Sequence, residues 1–447
     1  MDEKESHKAK GQELDLKIAS KMSTIVCNEK TEKTIKKYVS LASKFLSEYS
    51  WLTDACILEF FTDFHWEKLP VSWRSYYSDI DMTDLSVWLE SSLPSKAAVM
   101  PLSLITFKKC SEIFSVQRKP LKNINPLSDY FKSQQKDQFQ HDISFSDNSK
   151  GNTSWLSAEK ELTSYKKQNE LLNPIFRRHV KPKKQHEIVR LSEITSLLSK
   201  LFHCNKVVDI GSGQGHLSRL LSFGYDLEVL TMEAEGSHTS HAEKFDNQVP
   251  PSLKTFTMIG LHTCGNLAST IIKLFNSCEH CSSLISLPCC YMKIFEALEM
   301  ACHALEMYSK RLKVEPEKLK IHCYRATLEV LIRESNPELK RLGLRSVKYR
   351  ENLSFKEYTV KTLHQKNVPV SEDLLLYSDT ERYLNQWKKL VVFYTLRLML
   401  APVVETIILF DRLIFLYEQG VVGCLAPIFD PVLSPRNIAI IAVKPKS

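Results

Sequence analysis

The pattern of apolar and polar positions divides the chain into a helical part and a part in which strands and helices alternate. From residue 34 to about 121, apolar residues recur every three or four positions, which predicts α-helices. Beyond residue 200, short apolar runs are separated by stretches with helical spacing, and the predicted strands are 207–210, 227–233, 256–261 and 283–287. This alternation predicts an α/β fold with a Rossmann-like sheet.

The last third of the chain predicts how the sheet closes. Helical spacing dominates 296–400 and continues in 402–419, and two further strands, 421–429 and 437–443, are joined by a proline-containing turn. The predicted domains are an N-terminal helical lobe (1–122), a flexible polar linker (123–175), a ligand-binding sheet core (176–295), a helical insertion (296–400) and a closing helix and hairpin (401–447).

The linker prediction comes from composition. Residues 125–170 are rich in Asn, Ser, Gln, Lys and Asp and contain few apolar side chains. Such a segment buries too little apolar surface to offset the entropy cost of becoming ordered, so we expect it to be flexible.

Residues 390–415 are the most apolar long stretch of the chain. They nevertheless include Arg397, Pro402, Glu405, Asp411 and Arg412, too many polar groups for a membrane-spanning helix of about 20 residues. We therefore expect no contact with a membrane here, and predict two buried helices that meet at Ala401 and Pro402.

Composition and charge point to an intracellular protein without restricting its function strongly. The net charge is +8, from 60 basic and 52 acidic residues, which is a mild bias toward anionic partners. The 12 cysteines have no even spacing, and the charged N-terminus lacks an apolar signal-peptide core. We expect a reducing compartment, the cytoplasm or the nucleus.

The strongest chemical signal lies in residues 207–218, which read VVDIGSGQGHLS. The chain has only 12 glycines in 447 residues, yet Gly211, Gly213 and Gly215 fall within five positions. Glycine permits positive φ and lets a ligand approach the bare backbone, so the stretch predicts a strand, a ligand-binding turn and a helix start. A dinucleotide fingerprint would need glycine where His216 or Ser218 stands, which argues against that ligand class.

Two carboxylates are predicted to flank this turn. Asp209 ends the strand before it, and Glu233 ends the next strand about twenty residues later. An acid in the second position accepts the hydroxyls of a ribose in many α/β sheets. The alternative is that Glu233 is an ordinary solvated residue at a strand end.

Two further loops follow predicted strands and carry unusual side chains: 260–266 (GLHTCGN) and 288–291 (PCCY). Ligands bind beyond the carboxyl ends of strands in such sheets, so both loops are expected to face the glycine turn. His262 is either a general base or a structural hydrogen-bonding residue. Cys289 and Cys290 of the second loop either contact a substrate or are buried thiols. A third interpretation is that they bind zinc together with Cys278 and Cys281.

A basic segment precedes the sheet core and ends in 183–187 (KKQHE). It is either a solvated helix start or a surface that meets a cofactor carboxylate or a phosphate backbone.

These motifs together resemble the methyltransferase-like protein 25 family, including its relatives named for a ribosomal RNA adenine dimethylase domain. The acidic strand end and G-x-G-x-G turn resemble the first motif of class I S-adenosylmethionine-dependent methyltransferases, and 288–291 resembles in outline the N-P-P-Y loop of base methyltransferases, without its Asn. The stretches that match the family are 66–73, 183–187, the glycine motif, 260–268, 289–291, 324–329 and 425–437.

The resemblance implies a class I methyltransferase sheet and S-adenosylmethionine as cofactor, and we expect no metal ion. The expected cofactor-binding residues are Asp209, Gly211, Ser212, Gly213, Gly215, Glu233, Lys184 and His186, and the expected catalytic residues are Pro288, Cys289, Cys290, Tyr291 and His262. We expect the acceptor to be a nitrogen of RNA or protein, and the oligomeric state stays open.

A second hypothesis is a catalytically weak scaffold or RNA-binding module with the same fold. It is motivated by the segment between Glu233 and Phe256, which has room for one helix and shows no clear third strand.

Overall fold

A mixed sheet is the main feature of the computed structural model. Its strands are β1 (Ile25–Val26), β2 (Lys206–Ile210), β3 (Glu228–Met232), β4 (Phe256–Cys264), β5 (Cys281–Cys290), β6 (Val422–Pro427) and β7 (Ile438–Val443). The structure describes residues 24–90, 99–135, 155, 158–162, 168–169, 172–233, 255–290, 305–342, 347, 350, 353–364 and 380–445.

Helices account for most of the remaining described residues. They are α1 (Glu32–Glu48), α2 (Ser50–Thr53), α3 (Val71–Tyr77), α4 (Met82–Glu90), α5 (Leu102–Ile113), α6 (Asn125–Gln135), α7 (Ala158–Glu161), α8 (Pro174–Arg177), α9 (Pro182–Phe202), α10 (His216–Tyr225), α11 (Leu267–Ser277), α12 (Leu305–Val314), α13 (Lys320–Ser335), α14 (Phe355–His364), α15 (Thr380–Leu384) and α16 (Trp387–Glu418). Short 3-10 helices lie at Ile57–Glu59, Pro316–Leu319 and Pro337–Leu339.

The strand order of the sheet is β1-β6-β7-β5-β4-β2-β3. Strands β3, β2, β4 and β5 are parallel neighbours, whereas β7 runs antiparallel to both β5 and β6. The α/β, Rossmann-like sheet is therefore confirmed, and the carboxyl ends of its four parallel strands lie along one edge. The expected lack of a third strand concerns residues 234–254, which lie outside the described residues.

The core of this sheet explains why its strands read as continuous apolar runs. Strand β7 is buried at every position, and the side chains of Val207 and Val208 in β2 are almost completely buried. Strands that are covered on both faces have no solvent-facing side that would need polar residues. Helices α9 and α10 supply part of the covering layer through Leu191, Leu198 and Leu221, which have no exposed surface.

The chain divides into two units whose boundaries differ from the predicted domains. The sheet unit contains residues 1–43, 113–302 and 402–447, and the helical unit contains residues 44–112 and 303–401. Most of the predicted N-terminal lobe and the predicted insertion thus belong to one helical unit. The hydrophobic periodicity of each stretch predicted helices but contained no signal that stretches so distant in sequence would pack together.

Part of the predicted linker is an ordered helix, so the prediction for 123–175 is wrong at residues 125–135. Helix α6 has few apolar side chains, but Leu127 and Phe131 lie four positions apart and are fully buried. The ring of Phe131 is 6.5 Å from that of Phe202 in α9, and Tyr130 Oη donates to the carbonyl of Gly423 at 3.2 Å. A narrow apolar stripe was enough to order a segment that is polar on average.

The predicted break at Ala401 and Pro402 is also wrong, because α16 continues through it as one helix. Proline in a helix interior costs about 3 kcal/mol. The many buried apolar side chains of α16, such as Leu390, Val403 and Leu409, each contribute roughly 1.5–3 kcal/mol, which outweighs that cost. Within the described residues, no helix is long and apolar enough to cross a membrane.

Substitution of Phe131 by alanine tests the correction to the linker. Because the ring is fully buried, Phe131→Ala should lower the free energy of unfolding in urea by about 3–5 kcal/mol. The exposed neighbour Lys132 is the control, and Lys132→Ala should change it by less than about 0.5 kcal/mol. Equal, small effects of both substitutions would contradict an ordered, packed α6.

Candidate functional site

The glycine turn joins β2 to α10, and its backbone adopts a conformation that favours glycine. Gly211, Gly213 and Gly215 have φ values of +73°, +55° and +68°. The N–H groups of Gly211 and Ser212 donate to the carbonyl of Met232 at 2.8 and 3.4 Å, which ties the turn to the end of β3. Side chains with a Cβ would be strained at these three positions.

The turn is open toward solvent at its centre. A Cβ placed on Gly213 would have no atom within 4 Å, and the residue is exposed. The N–H of Gly213 donates to Glu233 Oε2 at 2.7 Å, so the carboxylate predicted as a ribose acceptor lies directly at the turn. Bare backbone and a carboxylate at adjacent strand ends form a cradle that suits a nucleoside ligand.

Asp209 lies beneath the turn and is buried. Ser218 Oγ donates to Asp209 Oδ2 at 2.6 Å, which joins the end of β2 to the first turn of α10. Burial raises the pKa of Asp209, the Ser218 hydrogen bond and the positive charge of Lys184 oppose this, and the charge of Glu233 adds to it. Asp209 therefore supports the turn and interacts electrostatically with two other predicted site residues.

Lys184 is half-buried at the beginning of α9, near the same turn. Burial lowers the pKa of its amine, and the negative charges of Glu187 and Asp209 oppose that effect. The structure thus brings the predicted residues Lys184, Asp209, Glu233 and Gly211–Gly215 together at one end of the parallel strands.

His186 was predicted to bind the cofactor, and the structure gives it a different role. The side chain has no exposed surface. Its Nδ1 lies 2.9 Å from Glu161 Oε2, and the backbone N–H of Asp430 donates to its Nε2 at 3.0 Å. These partners define an imidazole that donates through Nδ1 and accepts through Nε2. With both ring nitrogens used inside the protein, His186 holds the segment after β6 and does not contact a ligand.

The next residue, Glu187, joins three parts of the sheet unit. Its carboxylate is 1% exposed and accepts from Ser434 Oγ at 2.7 Å, while its Oε2 lies 2.9 Å from His262 Nε2. Burial alone would raise the pKa of Glu187. The hydrogen bond and charge of His262, helped by Lys183 and Ser434, outweigh burial and lower it.

His262 occupies a bulge near the end of β4. Its φ is +64°, which is rare for a residue with a side chain, and the pairing with β5 shifts register on both sides of Thr263. Gly260 is required nearby, because a Cβ there would lie 2.6 Å from Thr263 Cγ2. The bulge brings the imidazole to Glu187 while 27% of the side chain stays exposed.

The second predicted loop is described only in part. Pro288 is buried and its backbone pairs with Thr263, and Cys290 pairs with Cys264, so the ends of β4 and β5 are adjacent. The side chains of Cys289 and Cys290 and the whole of Tyr291 lie outside the described residues, and their catalytic role stays a prediction.

The hypothesis of a zinc site has no support in the part of the chain that the structure describes. No group of three or more His, Cys, Asp or Glu side chains there could hold a metal ion. Cys281 is fully buried, and burial raises the pKa of its thiol well above the usual value, which disfavours a thiolate.

The sequence analysis missed Glu187, Ser434 and Asp430 as members of this site. Each lies in a stretch that matches the family, 183–187 or 425–437. One signal could have found them: both stretches match the family and contain polar residues, and the predicted sheet could bring the two stretches together.

The buried, hydrogen-bonded carboxylate of Glu187 predicts a pH-dependent contribution to stability. The pKa of Glu187 is lower in the folded chain than its usual value of 4.5, so its contribution is present above that pH and is lost as the pH falls below it. At pH 7, Glu187→Gln should lower the free energy of unfolding by about 1.5–3 kcal/mol, and the difference from wild type should shrink under acid conditions.

Glu228 is a matched control, because it is a carboxylate of the same unit whose side chain is 65% exposed. Glu228→Gln should change the free energy of unfolding by less than about 0.5 kcal/mol at any pH. Urea unfolding between about pH 2 and 7 measures both variants, and a Glu187→Gln effect that stays the same below about pH 4 would contradict the lowered pKa of Glu187.

Comparison with known proteins agrees with this geometry. A family model described as a methyltransferase domain matches residues 183–257 and 250–297. The Homo sapiens protein named probable methyltransferase-like protein 25 is 29% identical over 228 residues, which are 43% of this chain and 37% of that protein. The Mus musculus protein of the same name is 31% identical over 230 residues, 43% of this chain and 38% of that protein.

The match spans less than two fifths of the length of these curated relatives. No solved structure matches the chain. The glycine turn, the segment 183–187 and the loops after β4 and β5 all lie within the matched part. Residues 183–297 therefore match a methyltransferase-domain model, and 43% of the chain is similar to the proteins named probable methyltransferase-like protein 25, in agreement with the resemblance of its motifs.

Proposed function

We propose that this chain is an S-adenosylmethionine-dependent methyltransferase that methylates a nitrogen of a macromolecule, RNA or protein. The observation that carries the proposal is the open glycine turn, whose Gly213 N–H is bonded to Glu233 at 2.7 Å. A methyltransferase domain matched over the same residues adds to it.

The residues around the turn fit this cofactor. Glu233 would accept the ribose hydroxyls, and the bare backbone of Gly211–Gly215 would admit the amino-acid tail without a side-chain clash. The amine of Lys184 lies near enough to Asp209 to influence its pKa, and it would pair with the carboxylate of that tail. S-adenosylmethionine supplies an activated methyl group, so the main task of the chain is to position the acceptor.

His262 is the described residue best placed to handle a proton on the acceptor side. It lies near the end of β4, beside the predicted substrate loop, and its Nε2 faces the buried carboxylate of Glu187. The carboxylate of Glu187 holds the imidazole in this orientation. We propose that His262 takes up the proton that the acceptor nitrogen releases when it is methylated.

The proposed compartment is the cytoplasm or the nucleus. It is supported by the cysteines whose side chains the structure describes, none of which forms a disulfide: Cys27, Cys56, Cys110, Cys204, Cys278, Cys281, Cys323 and Cys424. Free thiols in this number suit a reducing environment.

Leucine at position 213 tests the cofactor site. Gly213→Leu places a side chain in the open centre of the turn, so we expect calorimetry to show binding of S-adenosylmethionine to wild type and at least about tenfold weaker binding to the variant.

Gly420 provides a matched control outside the site. It is also exposed, has a φ of +73°, and its Cβ would have no atom within 4 Å. Both substitutions therefore carry a similar backbone strain of roughly 1–2 kcal/mol, and only Gly213→Leu should lose affinity. Absence of cofactor binding by the wild-type chain, or equal binding by both variants, would overturn the proposed function. Either result would favour the second hypothesis, a catalytically weak scaffold or RNA-binding module.

A further inference from the structure

Two segments of the sheet unit that border the glycine turn contain cations and no carboxylate. They are residues 172–186 and 211–225; in sequence, Glu170 and Asp209 lie two positions before them, and Glu187 and Asp226 follow them directly. Glu187 is buried and bonded to His262 and Ser434, and it also pairs with Lys183, whose Nζ lies 3.6 Å from Glu187 Oε1. The cations of the two segments are Arg177, Arg178, Lys181, Lys183, Lys184 and Arg219.

The two segments form one surface. Helix α8 packs against α10, where a Cβ on Gly224 would lie 3.9 Å from Phe176 Cε2. Near the turn, the pKa of His216 is lowered by partial burial and by the positive charges of Arg219 and Lys184, one from each segment. Lys184 and Arg219, one from each segment, therefore lie close to the same imidazole at the turn.

Two large apolar side chains are exposed on this surface. Ile175 in α8 is 75% exposed and Phe223 in α10 is 77% exposed. Each lies about one helical turn from an exposed cation: Arg178 follows Ile175 by three positions, and Arg219 precedes Phe223 by four. The core of α10 is made by other residues, Leu217, Leu220 and Leu221, so Phe223 is not needed for packing.

We propose that this surface binds a single-stranded nucleic acid and leads it to the methyltransferase site. Phosphates would pair with the cations, and the exposed ring of Phe223 offers a face on which a base can stack. The inference deepens the proposed function, because it names nucleic acid as the acceptor class for the same site.

An anionic membrane would also attract cations, but the shape of the surface disfavours it. A helix that lies in the membrane interface buries a continuous apolar face there. Helix α8 has a single turn, and the apolar face of α10 is buried in the core, which leaves one exposed apolar side chain on each.

Fluorescence anisotropy with labelled single-stranded RNA and DNA of about 12 nucleotides tests the proposal with the full chain. Phe223→Ala should weaken binding by about 5- to 100-fold with little change in salt dependence. The double variant Arg178→Gln, Lys181→Gln should weaken binding of every sequence, and the slope of log affinity against log salt should become shallower by about 1.4. Comparing the affinities for RNA and DNA shows whether the surface distinguishes ribose from deoxyribose.

Matched controls remove similar side chains elsewhere. Phe64 of the helical unit is 66% exposed, and Phe64→Ala should not change the affinity. Lys33 and Lys37 are exposed on α1, which follows β1 at the opposite edge of the sheet from β3, and their double Gln variant should keep the wild-type salt slope. All four variants change exposed residues, and equal thermal midpoints verify that each is folded.

The outcomes separate this inference from the proposed function. Loss of affinity confined to the Phe223 and Arg178–Lys181 variants supports the surface, even if the wild-type chain binds no cofactor. Cofactor binding without oligonucleotide binding overturns the surface and leaves the proposed function intact. Equal effects in test and control variants also overturn it. The surface is also overturned if the chain binds no oligonucleotide but binds phosphatidylserine vesicles, and if the same variants lose the binding to vesicles.

Discussion

The buried carboxylate of Glu187 is the constraint on which the site depends. An ionised carboxylate removed from water costs several kcal/mol unless it is fully paired, so a fold that buries Glu187 must keep its partners in place. Those partners are His262 on the bulge of β4 and Ser434 between β6 and β7. One side chain at the start of α9 therefore fixes two loops at the carboxyl end of the sheet.

The segment between β6 and β7 is held from other directions as well. His186, next to Glu187, accepts the backbone N–H of Asp430, and Asn437 donates to the carbonyls of Arg118 and Phe429. A second buried carboxylate, Glu405 of α16, pairs with Arg118 and Arg436. The closing hairpin thus does more than extend the sheet, because its turn is bonded to Glu187, which contacts His262.

Local patterns in the sequence predicted the parts of the fold that local forces determine. The strands β2 to β7, the glycine turn and the carboxylate of Glu233 follow from apolar runs and from glycines that need positive φ. The pairing of Glu187 with Ser434 spans 247 residues, and no periodicity along the chain encodes it. His186 was assigned to the ligand because its neighbours are basic, whereas its burial against Glu161 depends on a segment that looks like a linker in sequence.

The central claim, that the turn and the paired loops form a working methyltransferase site, is tested most directly by transfer of a tritiated methyl group. Wild-type chain, S-adenosylmethionine and fractionated cell extract are incubated, and the product is digested separately with ribonuclease and protease. We predict label in macromolecules that ribonuclease releases, and none with a His262→Phe variant that still binds the cofactor. A wild-type chain that binds the cofactor but labels no macromolecule would contradict the account.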